Sequence, residues 1–317
     1  RFAGEHTLRD SEWCVALSGG PDSLALAAAA AAVRPTTALI VDHQLQQDSA
    51  EVARTARAQA LTVGCVAARI LRVEVGAVGG PEAAARSARY AALDEARGGA
   101  AVLLAHTLDD QAETVLLGLG RGSGPRSIAG MRSYDPPWGR PLLGVRRAVT
   151  AAACAELQLT PWSDPHNTDA RFTRVRLRTE VLPLLEDVLG GGVAEALART
   201  ADALRADGEV LDVLAAQVLD RARRADGLAV SELIDVAPAV RRRVLRAWLL
   251  TGGARGLTER HIRGVEALVS AWHGQGGVAV PGSRPGHRLF ARRGAGTLTL
   301  HIEPVRRTAS AGPQLPG

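Results

Sequence analysis

The chain has 317 residues, 46% of them hydrophobic, and a formal net charge of +5 from 38 basic residues, all arginine, against 33 acids, enough apolar material for one large domain plus a smaller one. Three scattered cysteines, Cys14, Cys65 and Cys154, form no CxxC pair, which argues against a disulfide framework and against a Cys-built zinc or iron–sulfur site. No apolar run is long enough to span a bilayer and none flanked by basic residues opens the chain, so the expectation is a soluble, cytoplasmic protein with no membrane partner.

In chain order, a short apolar strand through Val15, Ala16 and Leu17 feeds the loop Ser18-Gly19-Gly20-Pro21-Asp22-Ser23, and an alanine-rich helix follows over 24–33. The two glycines let the backbone turn sharply and approach a ligand closely. Ser18 and Ser23 add hydroxyls, and the helix start presents unpaired N–H groups at its positive end. This is an anion cradle suited to phosphate; the alternative is an ordinary turn, for which Gly-Gly-Pro-Asp is good chemistry. No lysine follows the glycines, so the loop is not a Walker A motif, and the spaced glycines of a dinucleotide fingerprint are missing.

A second buried strand is predicted over 37–41, ending at Asp42-His43, then a helix over 49–61, a strand over 69–73 and a flexible loop over 76–80. Pro81 opens a helix to Ala96. Residues 100–105 form a further buried strand ending at His106, and a helix over 109–119 is closed by Arg121-Gly122-Ser123-Gly124. Alternating strands and helices predict an α/β fold, a parallel sheet with helices on both faces. Ser18, Asp42 and His106 all fall at the carboxyl ends of strands, where such sheets bind ligands.

Residues 131–144 read as irregular and proline-rich, 148–159 as helix, 162–167 as loop and 171–185 as a second, arginine-lined helix. Gly190-Gly191-Gly192 is the best linker candidate. A helix over 193–224, broken near Gly208, another over 238–250, and a third capped by Thr258 and ending at Trp272 follow. Short antiparallel strands are expected over 278–280, 288–290 and 298–300, and the tail from 306 is expected to be disordered. The charge is uneven: 20 Arg against 21 acids over 1–188, 5 against 9 over 189–235, and 13 against 3 over 236–317. The basic last third suits a polyanion such as nucleic acid, or a solvated arginine surface.

The second dense cluster is His106-Thr107-Leu108-Asp109-Asp110-Gln111-Ala112-Glu113-Thr114. On a helix, Asp110 and Glu113 share a face. Such a pair at a strand end holds Mg²⁺ or grips a substrate ammonium, whereas capping accounts for Asp109.

Ser18 to Ser23, between its strand and helix, resembles the SGGxDS signature of the PP-loop ATP pyrophosphatases, an adenine nucleotide α-hydrolase-like fold. Within them the chain resembles the tRNA(Ile)-lysidine synthetase family through His106–Thr114, Arg121-Gly122-Ser123-Gly124, Ile128-Ala129-Gly130-Met131, Val41-Asp42-His43, Glu82-Ala83-Ala84-Ala85-Arg86 with Arg89-Tyr90, Arg140-Pro141-Leu142-Leu143, the Trp162–Asp169 stretch, and Arg174-Val175-Arg176-Leu177-Arg178. The likeness runs in order over about 13–185. Beyond it, 243–250 and 277–300 are similar to the family's C-terminal tRNA-binding module. Two positions depart from the pattern: Thr107, where a second histidine is common, and Val175, where asparagine is.

The resemblance implies a catalytic domain over 1–188 and a tRNA-binding region over 189–317, helical over 189–255, with a small α+β module over 256–303 and a tail over 304–317. It implies ligation of L-lysine to C2 of the wobble cytidine of a CAU-anticodon tRNA(Ile), with ATP and Mg²⁺, through an adenylated base, releasing pyrophosphate and then AMP. Ser18, Gly19, Gly20, Pro21, Asp22 and Ser23 would cradle ATP, with Asp42 and His43 beside it. Asp110 and Glu113 would hold the lysine, with Arg86 on its carboxylate and His106 near. Asp42, His106, Asp110, Glu113 and Arg178 form the catalytic set, with Asp42 or Asp110 on metal. Arg121, Arg174, Arg178, Arg241, Arg242 and Arg243 would meet phosphate or tRNA, and a homodimer is compatible with the sequence. A PP-loop tRNA 2-thiolation enzyme would share the fold but need paired cysteines. A non-catalytic, nucleotide-dependent RNA-binding protein would not need the intact loop and acid pair.

Overall fold

A computed structural model describes residues 2–5, 12–44, 48–76, 80–122, 124–282 and 287–304. The expected disordered tail, Ser123 and most of the 76–80 loop lie outside these residues. The chain forms two units, 1–121 with 127–202, and 122–126 with 203–317.

The first unit runs α1 (Phe2–Glu5), β1 (Trp13–Ala16), α2 (Pro21–Val33), β2 (Thr36–Asp42), α3 (Ser49–Thr62), β3 (Ala67–Arg72), α4 (Pro81–Ala96), β4 (Ala101–Leu103) and α5 (Leu108–Arg121). After α6 (Pro125–Ile128) come β5 (Tyr134–Asp135), β6 (Trp138–Gly139), α7 (Arg147–Glu156), α8 (Thr173–Arg176), a π-turn (Leu177–Val181), α9 (Leu182–Val188) and α10 (Val193–Ala222). The sheet order is β3-β2-β1-β4-β6-β5, parallel except for β5. Strand periodicity sorts the two faces. Trp13, Val15, Ala38 and Ile40 face α2, α3 and α7, while Cys14 and Leu39 face Leu93 and Tyr90 of α4.

From β1 the chain steps outward to β2 and β3, then returns to lay β4 on the other side of β1. The sheet order therefore reverses beside β1, and the loops after β1, β2, β4 and β6 converge on the crevice this creates. The hairpin β5–β6 corrects the reading of 131–144 as irregular. Two-residue strands are too short to show a period, yet Trp138 pairs with Val102 and stacks edge-on against Tyr90 at 4.7 Å between ring centroids.

The unit division falls within α10, at Asp202/Ala203, rather than at the glycine run 190–192. Glu186 explains this, because its carboxylate accepts the Val193 and Ala194 N–H groups at 3.0 and 3.2 Å, capping α10 onto the first unit. Ala194 and Ala198 then bury against Leu108, Ala112 and Leu182. The expected break at Gly208 does not occur; a mid-helix glycine costs about 1 kcal/mol but loses no hydrogen bond.

The second unit holds β7 (Arg223–Arg224), β8 (Gly227–Ala229), α11 (Pro238–Thr251), α12 (Glu259–Ser270), β9 (Val278–Val280), β10 (His287–Gly294) and β11 (Thr297–Pro304). Its antiparallel sheet, β7-β8-β11-β10-β9, packs with α11 and α12 around Leu228, Val244, Leu245, Leu249, Val265 and Leu298. Thr258 and His261 cap α12 reciprocally. Arg241 is a correction. It is 7% exposed, and its guanidinium bonds Glu266 and the Ile234 and Val236 carbonyls, so it holds this core together and offers nothing to phosphate. Arg242 shares Glu266, and Arg243 pairs with Asp212 at 2.9 Å. No helix among the described residues is long and apolar enough to cross a membrane.

Candidate active site

The loop after β1 closes on itself. The Ser18 N–H donates to Ser23 Oγ at 3.2 Å, the two serine hydroxyls lie 3.1 Å apart, and the Ser23 hydroxyl donates to Gly20 O at 2.9 Å. Gly19 has φ +84, an angle that glycine adopts without strain. No side chain caps α2, which leaves its first-turn amides for an anion. The Trp162 N–H donates to Gly19 O at 2.9 Å and brings the 162–169 stretch against the loop.

Asp22 turns away from the loop. Its carboxylate accepts the Thr150 hydroxyl and, at 3.2 Å, Arg147 Nε. Both partners belong to α7, and the Cys154 thiol of the same helix donates to Pro21 O at 3.3 Å. Asp22 therefore fixes the nucleotide loop to α7.

Arg147 is the hub of the site. Besides Asp22 it donates to Asp110 Oδ1 at 2.7 Å and lies 3.7 Å from Glu113 Oε1. Glu113 is wholly buried; it takes Arg178 Nε at 2.8 Å and Nη2 at 3.3 Å, with Arg174 Nη1 at 3.5 Å. Arg178 sits in the π-turn, whose widened turn re-aims it, a feature that recurs at functional sites. Its guanidinium is engaged by Glu113 rather than turned out toward phosphate. Both acids expected to grip an ammonium are thus already held by guanidinium groups, and a substrate amine reaches either only in exchange for one.

Asp110 has a second task. Its Oδ2 accepts the Thr107 N–H and hydroxyl, both at 2.8 Å, so Thr107 caps α5 where a histidine is common. Burial alone would raise the Asp110 carboxyl, but Arg147 and the Thr107 bonds outweigh it and hold the group below the usual carboxylate range. Asp109 caps α7, accepting the Arg147 N–H at 2.7 Å with Arg146 beside it at 3.1 Å. Gln111 is structural, its amide bonding Met131 N and O at 2.7 and 3.0 Å. Val175, the other departure, is buried in the core.

His106 ends the crevice at β4. Burial pushes its imidazole down from 6.5 to about 4, with Arg140, Arg89 and Arg86 acting the same way and Asp110 opposing. His43 is lowered too, by burial and then Arg89. Asp42 is buried and accepts the Gln44 N–H at 3.0 Å. Arg121, at the carboxyl end of α5, is exposed. No group of three or more His, Cys, Asp or Glu side chains among the described residues is placed to enclose a metal ion. Mg²⁺ fits differently, since beside phosphates it needs only one or two carboxylates; Asp42 meets that requirement, while both oxygens of Asp110 are taken.

Sequence reasoning missed Arg147 and Thr150, and it named Arg89 and Arg140 only within motifs, without a role. One signal was legible. Arg146 and Arg147 stand at the start of a helix, where a positive charge opposes the dipole unless acids sit against it.

Residues 2–185 match the PP-loop domain family, and residues 228–299 match the TilS substrate binding domain. The chain is 68% identical over 305 residues to the tRNA(Ile)-lysidine synthase of Mycolicibacterium paratuberculosis, covering 96% of this chain and 95% of that one. It is 68% identical over 309 residues to that of Mycobacterium tuberculosis H37Rv, at the same coverages, and 65% over 287 residues to that of Nocardia farcinica, at 90% of each. The U34-tRNA thiolase NcsA from Methanococcus maripaludis superposes with a TM-score of 0.52 at 17% identity, over 64% of this chain and 75% of that one, a likeness of fold.

Proposed function

The chain belongs to the tRNA(Ile)-lysidine synthase family, and on that premise we propose that it ligates L-lysine to C2 of the wobble cytidine of a CAU-anticodon tRNA(Ile) in the cytoplasm. The observation that carries the reading is Arg147, which ties the phosphate-cradling loop through Asp22 to the acid cluster at Asp110 and Glu113. A nucleotide and an amine would thus be handled by one connected site.

The amide-like C2–O bond is a poor leaving bond until the oxygen carries AMP. In the first step the C2 oxygen attacks the α-phosphorus of ATP and the bond to the β-phosphate oxygen breaks, releasing pyrophosphate. Amides of the Ser18–Ser23 loop and the start of α2 stabilise the charge that builds on the phosphates. Asp42 would hold a Mg²⁺ ion, which would add neutralisation of the phosphate charge. In the second step the lysine side-chain amine attacks C2 and AMP leaves with the C2 oxygen. His106, kept neutral by burial and by the nearby arginines, lines the pocket beside this amine. Asp110 takes a lysine ammonium in exchange for Arg147, Arg86 meets the carboxylate, and Glu113 fixes Arg178. Exposed arginines, Arg121 and Arg174 in the first unit and Arg255, Arg260 and Arg288 in the second, meet tRNA phosphate.

The thiolase reading has less support. The thiolase NcsA carries a [4Fe-4S] cluster, whereas Cys14, Cys65 and Cys154 here are each buried in separate places, on β1, after α3 and on α7. The deciding experiment is transfer of labelled lysine to unmodified tRNA(Ile) with and without ATP, with pyrophosphate followed in parallel. ATP-dependent transfer of one lysine per pyrophosphate supports the reading; pyrophosphate release indifferent to lysine and to tRNA refutes it.

A further inference from the structure

Six charged side chains beside the nucleotide loop balance one another. Asp22, Asp110 and Glu113 carry three negative charges, and Arg147, Arg174 and Arg178 carry three positive ones. Arg147 serves all three acids at once. Its Nε faces Asp22 at 3.2 Å, its Nη2 faces Asp110 at 2.7 Å and its Nη1 faces Glu113 at 3.7 Å. Burial works against its charge, but the three carboxylates, Asp110 foremost, outweigh burial and hold the group above its usual range. Arg147 also opens α7, where the positive end of a helix opposes a cation that no acid answers. The position suits a guanidinium only while those acids face it.

The bonds around Arg147 differ in how readily they exchange. Both Glu113 oxygens are taken by Arg178, at 2.8 and 3.3 Å. Asp110 Oδ2 is taken by the Thr107 N–H and hydroxyl. Among the described residues, Asp110 Oδ1 has Arg147 as its near partner, while Arg178 Nη2 stands off at 3.7 Å. An incoming ammonium therefore reaches an acid most directly at Asp110 Oδ1, and there it competes with Arg147. On its other side Arg147 rests on Asp22, which lies in the first turn of α2, a helix whose amides no side chain caps. An acid in that turn repels a phosphate unless a cation neutralises it. Polyphosphate bound there would set several negative charges beside the same guanidinium.

We propose that Arg147 is a positioning residue that couples the two small substrates. It pivots on Asp22 from Asp110 to the phosphates of bound nucleotide, and so frees Asp110 Oδ1 for the ammonium of an amino substrate. The charge count favours this exchange. An ammonium added to a neutral set leaves a surplus cation, and polyphosphate next to Asp22 gives that cation a partner. The proposal rests on the ligase reading and adds a linkage to it, in which the nucleotide prepares the amine site. Each ligand then strengthens the other by the same factor. That factor corresponds to one charge-assisted bond, about ten- to hundredfold.

The test is calorimetric titration of the full chain with L-lysine, without tRNA, in the presence and absence of saturating α,β-methylene-ATP, whose α–β bridge does not cleave. In wild type the nucleotide tightens lysine binding about ten- to hundredfold, and lysine tightens nucleotide binding equally. Arg147→Gln removes the competitor for Asp110. Its lysine affinity without nucleotide rises above that of wild type, and the nucleotide then changes it by less than about twofold. An arginine with a merely structural role would give the opposite, weaker lysine binding in the variant. Wild type that binds lysine equally well with and without nucleotide, or not at all, overturns the proposal, and this arm needs no variant to fold. A folded Arg147→Gln with weakened lysine binding and the coupling intact overturns it as well. Lysine transfer to tRNA tests the ligase reading separately. Transfer by a wild type that shows no coupling sinks the exchange and leaves that reading standing.

Discussion

Replacing Glu113 by glutamine separates two roles that the sequence leaves together, substrate ligand and structural node. The side chain is wholly buried, with Arg178 at 2.8 Å and Arg174 and Arg147 at 3.5 and 3.7 Å. Removing one partner of a fully buried pair costs about 3–5 kcal/mol. Arg178, Arg174 and Arg147 are 28, 45 and 25% exposed, so water recovers part of this, and Arg147 keeps Asp22 and Asp110. We therefore expect a loss of about 2 kcal/mol, which for a unit of this size lowers the melting temperature by roughly 4–8 °C. Thermal unfolding of Glu113→Gln beside Glu113→Ala, each paired with a lysine titration, measures it. If Glu113→Gln melts with wild type while lysine affinity falls tenfold or more, the carboxylate faces substrate rather than arginine, and the node is wrong.

Asp22→Asn loosens the tie to Thr150 and Arg147; pyrophosphate release should fall about ten- to hundredfold with unchanged circular dichroism, and normal release would remove Asp22 from the site. For His106 the folded pKa of about 4 lies below the unfolded 6.5, so as pH falls the unfolded chain takes the proton first. Stability is complete above 6.5 and declines toward 4, by at most about 3 kcal/mol; denaturant melts of His106→Gln should show a flatter pH profile over that window. Gly118→Ala would drive a Cβ into the Ser127 carbonyl, a backbone clash expected to cost more than about 2 kcal/mol, and an unchanged melting temperature would contradict that packing. Changing Arg255, Arg260 and Arg288 together to glutamate should weaken tRNA binding and flatten its salt dependence, by about one unit of slope per lost phosphate contact, with ATP binding intact; an unaltered slope would place the tRNA elsewhere.

Much of the first unit can be derived from sequence because its signals are local. Alternation marks which residues of β1 and β2 face each layer of helices, and a Gly-Gly turn between a strand and a helix marks the phosphate loop. Asp42 and His106 are legible because strand ends can be located from apolar runs. Only the tertiary structure decides what those residues touch. Asp22, Asp110 and Glu113 read as free carboxylates until Arg147, Arg174 and Arg178 come in from distant segments, across 125 residues in the case of Asp22 and Arg147. An arginine in a chain with 38 basic residues carries no label for its partner. Arg241 shows this most plainly: it sits beside Arg242 and Arg243 in sequence, but the helix period turns it into the core onto Glu266 while they remain nearer solvent. Charge count is a property of composition, and burial is a property of the fold. The fold alone determines which arginines pair with acids, which stabilise a core, and which, like Arg89 and Arg140, have no carboxylate paired with them among the described residues.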